Sequence, residues 1–148
     1  MREKVIIFTR YPEPGKTKTR LIPVLGAEGA ADLQRRMAEH VLAQAQDLAA
    51  RREVSLEVCY EGGDEALLSR WLGSRFSYCE QRAGDLGTRM HAAFKEAFLK
   101  GSERVLVIGT DCPGLTDQIL ETALESLREH DVVLGPARDG GYYLIGLK

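Results

Sequence analysis

Two short stretches, Val5-Ile6-Ile7-Phe8 and Val105-Leu106-Val107-Ile108, hold no polar residue. Continuous, β-branched runs of this length predict strands buried on both faces, the kind that parallel sheets contain. Val54 to Tyr60 alternates apolar and polar positions like a strand, and Glu61-Gly62-Gly63 closes it. Elsewhere the period lengthens to that of a helix. From about Ala27 to Arg52, the residues Leu33, Met37, Val41, Ala45 and Leu48 recur at helical spacing. Asp85 to Lys100 predicts a second helix whose apolar face is Leu86, Met90, Ala93, Phe94, Ala97 and Phe98, with Gly101 just past its end. Thr116 is placed to cap a third, with Ile119, Leu120, Ala123, Leu124 and Leu127 on its face. Weaker signals predict a short helix over Ala66–Trp71 and strands over Phe76–Glu80, Asp131–Leu134 and Tyr142–Leu147.

Strand and helix alternate almost throughout, which predicts a three-layer α/β fold with a mostly parallel sheet. Ligands of such sheets bind outside the carboxyl ends of the strands. The loops after Phe8, Ile108 and Leu134 are therefore the places to look for chemistry. A length of 148 residues suits one domain spanning the chain, with no repeat or low-complexity tract to suggest otherwise.

Composition narrows the partners. The net charge is −2, and nucleic-acid binders usually carry a basic face, so DNA and RNA are disfavoured. Arg2-Glu3-Lys4 is followed by only five apolar or near-apolar residues, Val5 to Thr9, too few for a signal peptide or a membrane span. Cys59, Cys79 and Cys112 form neither a CxxC pair nor an even framework, which suits a reducing cytoplasm.

Against that mildly acidic background, Arg10-Tyr11-Pro12-Glu13-Pro14-Gly15-Lys16-Thr17-Lys18-Thr19-Arg20 packs four cations beside one acid. Such crowding is unfavourable unless anions neutralise it. Prolines restrict the loop, and Gly15 lets backbone approach a ligand closely. Lysine offers phosphate a point charge and arginine a two-pronged hydrogen bond. Each well-placed charge-assisted bond is worth roughly 1.5–3 kcal/mol. Gly15-Lys16-Thr17 resembles the end of GxxxxGK[ST], but the first glycine of that motif would fall on Arg10, which disfavours a P-loop ATPase. A solvated basic loop is the plain alternative.

Asp111 follows the second buried run, where a carboxylate needs a pair, a hydrogen bond or a metal. Magnesium or manganese bridging carboxylate and phosphate oxygens is one reading, and an Asx-turn ahead of Pro113 is the other. Asp139-Gly140-Gly141 alone reads as a hairpin turn. Together, Asp111 and Asp139 at neighbouring strand ends are the candidates for a two-carboxylate metal site. Gln81 to Arg89 opens the second long helix, whose N-terminus can receive an anion, with Gly84 and Gly87 leaving room for a ring or ribose. It reads equally as a loop in which Asp85 favours the helix dipole. His40, His91 and His130 match no triad, Cys112 has no partner that marks a nucleophile, and Trp71 reads as a packing residue.

In order along the chain stand Phe8-x-Arg10-x-Pro12-x-Pro14-Gly15-Lys16-x-Lys18-Thr19-Arg20-Leu21, Gln81-x-x-Gly84-x-Leu86-Gly87-x-Arg89-Met90, Gly109-Thr110-Asp111-x-Pro113-x-Leu115 and Gly135-Pro136-Ala137-x-Asp139-Gly140-Gly141-Tyr142-Tyr143-Leu144. With these motifs the chain resembles the glycosyltransferase-like family of the nucleotide-diphospho-sugar transferase (GT-A) superfamily. It is more distantly similar to phospholactate guanylyltransferase and molybdenum-cofactor guanylyltransferase. The resemblance implies a Rossmann-like GT-A sheet binding a nucleotide or NDP-sugar, a small-molecule acceptor, and Mg²⁺ or Mn²⁺. It implies phosphate or nucleotide contacts from Arg10, Gly15, Lys16, Lys18, Arg20, Gln81 and Gly87, and metal contacts from Asp111 and Asp139. No residue is assigned as the catalytic group. Pro113 stands where many GT-A enzymes carry the second acid of DxD. Relatives generally continue beyond the strand that ends near Lys148, so the resemblance implies a fold cut short there, with acceptor contacts and a further metal ligand beyond it. Glycosyl transfer from an NDP-sugar is the leading expectation. Nucleotidyl transfer to a phosphorylated acceptor, and nucleotide binding without turnover, are the alternatives.

Overall fold

A computed structural model of the chain describes residues 2–148. Its strands are β1 (Glu3–Arg10), β2 (Ser55–Glu61), β3 (Ser77–Glu80), β4 (Arg104–Ile108), β5 (Val132–Pro136) and β6 (Tyr142–Leu147). The helices are α1 (Ile22–Arg51), α2 (Glu65–Leu72), α3 (Leu86–Leu99) and α4 (Asp117–Ser126). One six-stranded sheet runs in the order β3-β2-β1-β4-β6-β5. Strands β1 to β4 pair in parallel, while β6 lies antiparallel between β4 and β5. This is the mostly parallel three-layer α/β, Rossmann-like arrangement that the alternating pattern predicts.

The two unbroken apolar runs take the centre of the sheet as neighbours β1 and β4. Alternation along β1 sends Val5 and Ile7 to one face, against α1, α2 and α4, and Ile6 and Phe8 to the other, against α3. Fully burying one such side chain contributes about 1.5–3 kcal/mol. The sheet centre therefore carries the stability that lets its edges hold charges.

One helix start agrees with the sequence expectation, and three faces differ from it. Helix α1 begins at Ile22, but Gly26 is non-helical (φ 76°, ψ 166°), so the regular helix does start at about the expected Ala27. Within it, Gln34 and Ala38 are buried whereas Leu33 and Met37 are only half-buried. Leu86, expected on the apolar face of α3, is 61% exposed at its first turn. The segment Asp131–Leu134, expected as a buried strand, forms the outer strand β5, with Val132 51% and Leu134 47% exposed. An outer strand has a hydrogen-bonded neighbour on one side only, which leaves its side chains less covered than those of the central strands.

The order of strands determines where ligand chemistry is possible. Since β5 runs parallel to β4, the turn joining it to β6 sits on the same edge as the carboxyl ends of β1 to β4. All the loops singled out from sequence therefore open onto one side of the sheet.

Candidate functional site

At that edge, the last residues of β1 and β2 stand in register, Arg10 opposite Glu61. Beneath them lies a buried polar seam. The hydroxyls of Thr9 and Thr110 are 3.5 Å apart, and Gln34 Nε2 donates to Thr9 Oγ1 at 3.3 Å and to the Arg10 carbonyl at 3.2 Å. Strand ends leave polar groups without ladder partners, and buried ones need them. The seam explains why α1 turns Gln34 inward at a point where simple apolar spacing would bury Leu33 and Met37.

The basic loop is built around Thr17, which is 1% exposed. Its hydroxyl accepts from the Glu13 N–H at 3.0 Å and donates to the Glu13 carbonyl at 3.0 Å, with the Tyr11 carbonyl 3.2 Å away. Tyr11 anchors the loop's near end: its N–H donates to the Glu61 carbonyl at 2.9 Å and its ring meets Trp71 edge-on at 6.0 Å. A Cβ on Gly63 would stand 2.9 Å from the Tyr11 ring, so the loop after β2 can pack there only as glycine. Trp71 in turn donates from Nε1 to Glu39 on α1 at 3.0 Å, in the packing role its sequence context suggests. Gly15, at φ 86°, projects into open space at the exposed tip.

The loop's charges are largely matched by the protein's own acids. Arg10 lies 3.4 Å from Glu61, Lys16 lies 3.6 Å from Glu13, and Lys18 Nζ lies 2.7 Å from Asp111 Oδ1. Arg20 is exposed and has no ion-pair partner among the described residues. The expectation that only an external anion would relieve the crowding is thus corrected: three of the loop's cations are paired with carboxylates.

Gln81 is committed to the scaffold. Its Nε2 donates to the carbonyls of Thr9 (3.3 Å) and Cys59 (3.1 Å), tying the ends of β1 and β2 together. Its Oε1 accepts from Arg89 Nη1 at 2.9 Å, and the same nitrogen lies 3.3 Å from Glu61. Glu61 therefore bridges Arg10 and Arg89, placing two guanidinium groups on the rim. At the start of α3, Asp85 Oδ1 accepts from the Thr88 N–H at 2.8 Å, and that bond holds its carboxyl below the usual aspartate range. The protein's own carboxylate occupies the N-terminal position offered in sequence to an anion. Gly87 is exposed in this first turn, with Asp85 Oδ1 the nearest atom to a Cβ built there, at 3.7 Å.

Asp111, expected after a buried strand to need a pair, a hydrogen bond or a metal, is paired with Lys18 while its side chain stays 77% exposed. It leaves β4 on a loop whose Pro113 carbonyl lies 3.0 Å from His40 Nε2 on α1. Asp139 belongs to the β5–β6 turn, where its Oδ1 accepts from the Gly141 N–H at 3.0 Å and Ala137 and Gly141 are bridged at 2.7 Å. The structure brings Lys18 to Asp111, joins Arg10 and Arg89 through Glu61, and ties Gln81 to Arg89. Asp139 bonds within its own turn, to the Gly141 N–H, while Asp111 bonds to Lys18. Thr9, Thr17, Gln34, Glu61, Arg89 and Thr110 were not among the residues assigned a ligand role from sequence. The usable signals were polar residues closing buried strands and one glutamine inside an apolar helical stripe.

Among the described residues, no group of three or more histidine, cysteine or acidic side chains could cage a metal. One exposed carboxylate beside a cationic loop instead suits Mg²⁺, which commonly keeps several waters and takes its remaining ligands from one or two carboxylates and phosphate. The donor set fits an ion shared with a phosphate ligand. The three cysteines are free thiols, with the buried Cys59 thiol pushed up to about 12 by desolvation and its neighbour Cys79. No helix among the described residues is long and apolar enough to cross a membrane.

Comparison with known proteins gives the fold a context. A protein from Desulfovibrio desulfuricans G20, provisionally named a nucleotide-diphospho-sugar transferase, superposes over 100% of the chain with a TM-score of 0.86 and 38% identity. The chain spans 64% of that protein's length. A cytidylyltransferase from Leptospira borgpetersenii (TM-score 0.60, 16% identity) is matched over 100% of this chain and 60% of its own. The 4-diphosphocytidyl-2C-methyl-D-erythritol synthase from Anaerococcus prevotii (TM-score 0.59, 13% identity) is matched over 99% and 71%. The last two likenesses show a shared fold. No curated protein sequence matches the chain. The basic loop lies ahead of the segment matched by a family model, which covers residues 42–148. That match places the chain in the family described as "Uncharacterized protein conserved in bacteria (DUF2064)".

Proposed function

We propose that the chain forms the nucleotide-binding part of a metal-dependent transferase, acting on an NDP-sugar and passing the sugar to a small-molecule acceptor. The observation that carries this reading is the Lys18–Asp111 contact of 2.7 Å, which unites the phosphate-seeking loop with the metal-seeking carboxylate. Lys16, Lys18 and Arg20 would take the phosphates as charge-assisted partners, and Arg10 with Arg89 would flank them from the Glu61 rim. Asp111 would hold Mg²⁺ or Mn²⁺, with Asp139 as a second ligand from the neighbouring turn. The metal, when bound, would neutralise phosphate charge as the leaving group departs. The protein's own contribution is positioning and electrostatic stabilisation, since the loop is held rigid by Thr17, Tyr11 and Gly63. The resemblance to nucleotide-diphospho-sugar transferases, and the Desulfovibrio protein's name, support the sugar-nucleotide form.

A second reading is nucleotidyl transfer, in which a phosphorylated acceptor attacks the α-phosphate of a nucleoside triphosphate and pyrophosphate leaves. Two features favour it: four cations in one loop suit a triphosphate, and Pro113 takes the place of the second acid of a DxD motif. The distant guanylyltransferase resemblance makes GTP the first base to try, with CTP beside it. A thermal-shift panel of nucleoside triphosphates and NDP-sugars, each with Mn²⁺ or EDTA, separates the readings. Metal-dependent stabilisation by an NDP-sugar supports glycosyl transfer. Stabilisation by GTP or CTP alone moves the assignment to nucleotidyl transfer. A shift without product from any acceptor leaves nucleotide binding without turnover, and no shift with any nucleotide overturns all three.

A further inference from the structure

Lys18 is the one non-glycine residue with positive φ among the described residues, at φ 47° and ψ 49°. A side chain in this left-handed region costs roughly 1–2 kcal/mol. The buried Thr17 on one side and the Leu21 N–H to Lys18 carbonyl bond (2.9 Å) on the other hold it there. The conformation turns the side chain inward. Lys18 is only 16% exposed while its partner Asp111 is 77% exposed, whereas Lys16 on the same loop is 67% exposed. Backbone strain is therefore maintained at the residue whose ammonium holds Oδ1 of the candidate metal carboxylate.

We propose that Lys18 gates Asp111, so that phosphate must bind before or together with the divalent cation. The inference rests on the nucleotide-transferase reading and adds an order to it. Drawing Asp111 away to a metal would leave the ammonium of a side chain only 16% exposed without its carboxylate and beside a dication, both of which are unfavourable. Drawing Lys18 away to a phosphate leaves only an exposed carboxylate in water, which costs little. The pair can thus be opened cheaply from the phosphate side and not from the metal side. Once phosphate holds the ammonium, Asp111 is free for the cation. Metal and phosphate binding are then positively coupled through a single ion pair, and the coupling acts equally in both directions.

The test is Mn²⁺ titration of the full chain by electron paramagnetic resonance without phosphate, alongside calorimetric titration of pyrophosphate in EDTA. The wild-type chain should bind pyrophosphate without metal and bind Mn²⁺ poorly alone. Lys18→Met should tighten Mn²⁺ binding in the absence of phosphate by roughly tenfold, the scale of an ordinary coupling between sites. It should also weaken pyrophosphate binding. Lys18→Gly, which removes the side chain and relieves the positive φ, should tighten Mn²⁺ likewise and serves if the methionine variant fails to fold. Adding Asp111→Asn to either should abolish the gain. Folded variants that bind Mn²⁺ no more tightly than wild type overturn the gate. A wild-type chain that binds neither pyrophosphate nor any nucleotide overturns the transferase reading itself, so the two failures are distinct.

Discussion

Glu3→Gln tests how the two edges of the sheet divide stability from binding. Glu3 opens β1, at the end of the strand away from the candidate site, and its carboxylate receives four hydrogen bonds. Arg52 donates from Nε (2.7 Å) and Nη2 (2.8 Å), and Arg104 from Nε (2.9 Å) and Nη2 (2.7 Å). Glu3 and Arg104 are each 5% exposed, and Arg52 also donates to Glu125 on α4 at 2.7 Å. One carboxylate thereby ties together β1, β4, the end of α1 and, through Arg52, α4. Replacing it with a neutral amide removes the anion that both guanidinium groups share at this point, a change that costs about 3–5 kcal/mol when a buried pair is broken. We expect about 3 kcal/mol, a large fraction of the roughly 5–15 kcal/mol that holds a domain folded. Urea unfolding followed by circular dichroism at neutral pH gives the value. Pyrophosphate affinity of the folded variant should change by less than about twofold, as for distant independent sites. A loss below about 1 kcal/mol would reduce the cluster to an ordinary surface network. A loss of affinity in step with stability would refute the division between the edges.

The same cluster sets a pH dependence. Burial raises the Glu3 carboxyl, but hydrogen bonds and charge from Arg52 and Arg104 outweigh it and hold the folded value below 4.5. A carboxyl depressed in the folded state contributes stability that is complete above its unfolded value and lost as pH falls through the folded one. The difference between wild type and Glu3→Gln should therefore be full at neutral pH and shrink in acid. A difference that stays constant or grows below pH 4.5 would contradict the assignment.

At the opposite edge, Asp111→Asn should abolish Mn²⁺-dependent enhancement of nucleotide binding while leaving metal-free pyrophosphate binding in place; unchanged calorimetric affinity in Mn²⁺ would remove Asp111 from the metal site. Lys16→Ala with Arg20→Ala should weaken pyrophosphate binding and flatten its dependence on ionic strength, and equal affinity with an equal salt slope would leave these cations as solvated surface. Thr17→Val keeps the shape but removes the hydroxyl that links the Glu13 N–H and carbonyl, costing about 0.5–1.5 kcal/mol of stability because the N–H keeps the Tyr11 carbonyl as acceptor. Pyrophosphate binding should weaken with it, and a variant of wild-type melting temperature and affinity would show that the loop does not depend on this hydroxyl.

Much of the architecture was legible because burial on both faces leaves a simple trace. Val5–Phe8 and Val105–Ile108 read as central strands since no polar residue can be tolerated there, and they pair side by side. Periodicity located α3 and α4 closely, and the cap at Thr116 is made, its hydroxyl accepting from the Ile119 N–H at 3.2 Å. The same signal was less informative near the site. It placed Leu33 and Met37 inward, where hydrogen-bonding demand at the end of β1 instead draws in Gln34. It could not show that the run before Gly135 lies at the rim, because an apolar run looks alike at the centre and at the edge. The Lys18–Asp111 contact joins residues 93 positions apart and depends on a positive φ at a lysine, for which composition and spacing hold no sign.

Four cations in one short loop suggest a need for an external anion, and the loop's acid partners change that reason. Arg10, Lys16 and Lys18 all have carboxylates within reach, so charge density alone does not require a ligand. What distinguishes this edge is how cheaply its pairs exchange. Arg10–Glu61 and Lys16–Glu13 are at least 40% exposed on every side chain, and such pairs are worth about 0–1 kcal/mol. A phosphate offering several charge-assisted bonds can displace those carboxylates at little cost. At the other edge, Glu3 and Arg104 form a pair from which neither member can be withdrawn without leaving charge in the interior. The same residue types thus act oppositely at the two ends of one sheet: burial makes the Glu3 pairs permanent, and exposure makes those of the loop replaceable. Lys18–Asp111 lies between these conditions, half-buried on the lysine side and open on the carboxylate side. That asymmetry makes it the contact through which phosphate binding can control the metal ligand.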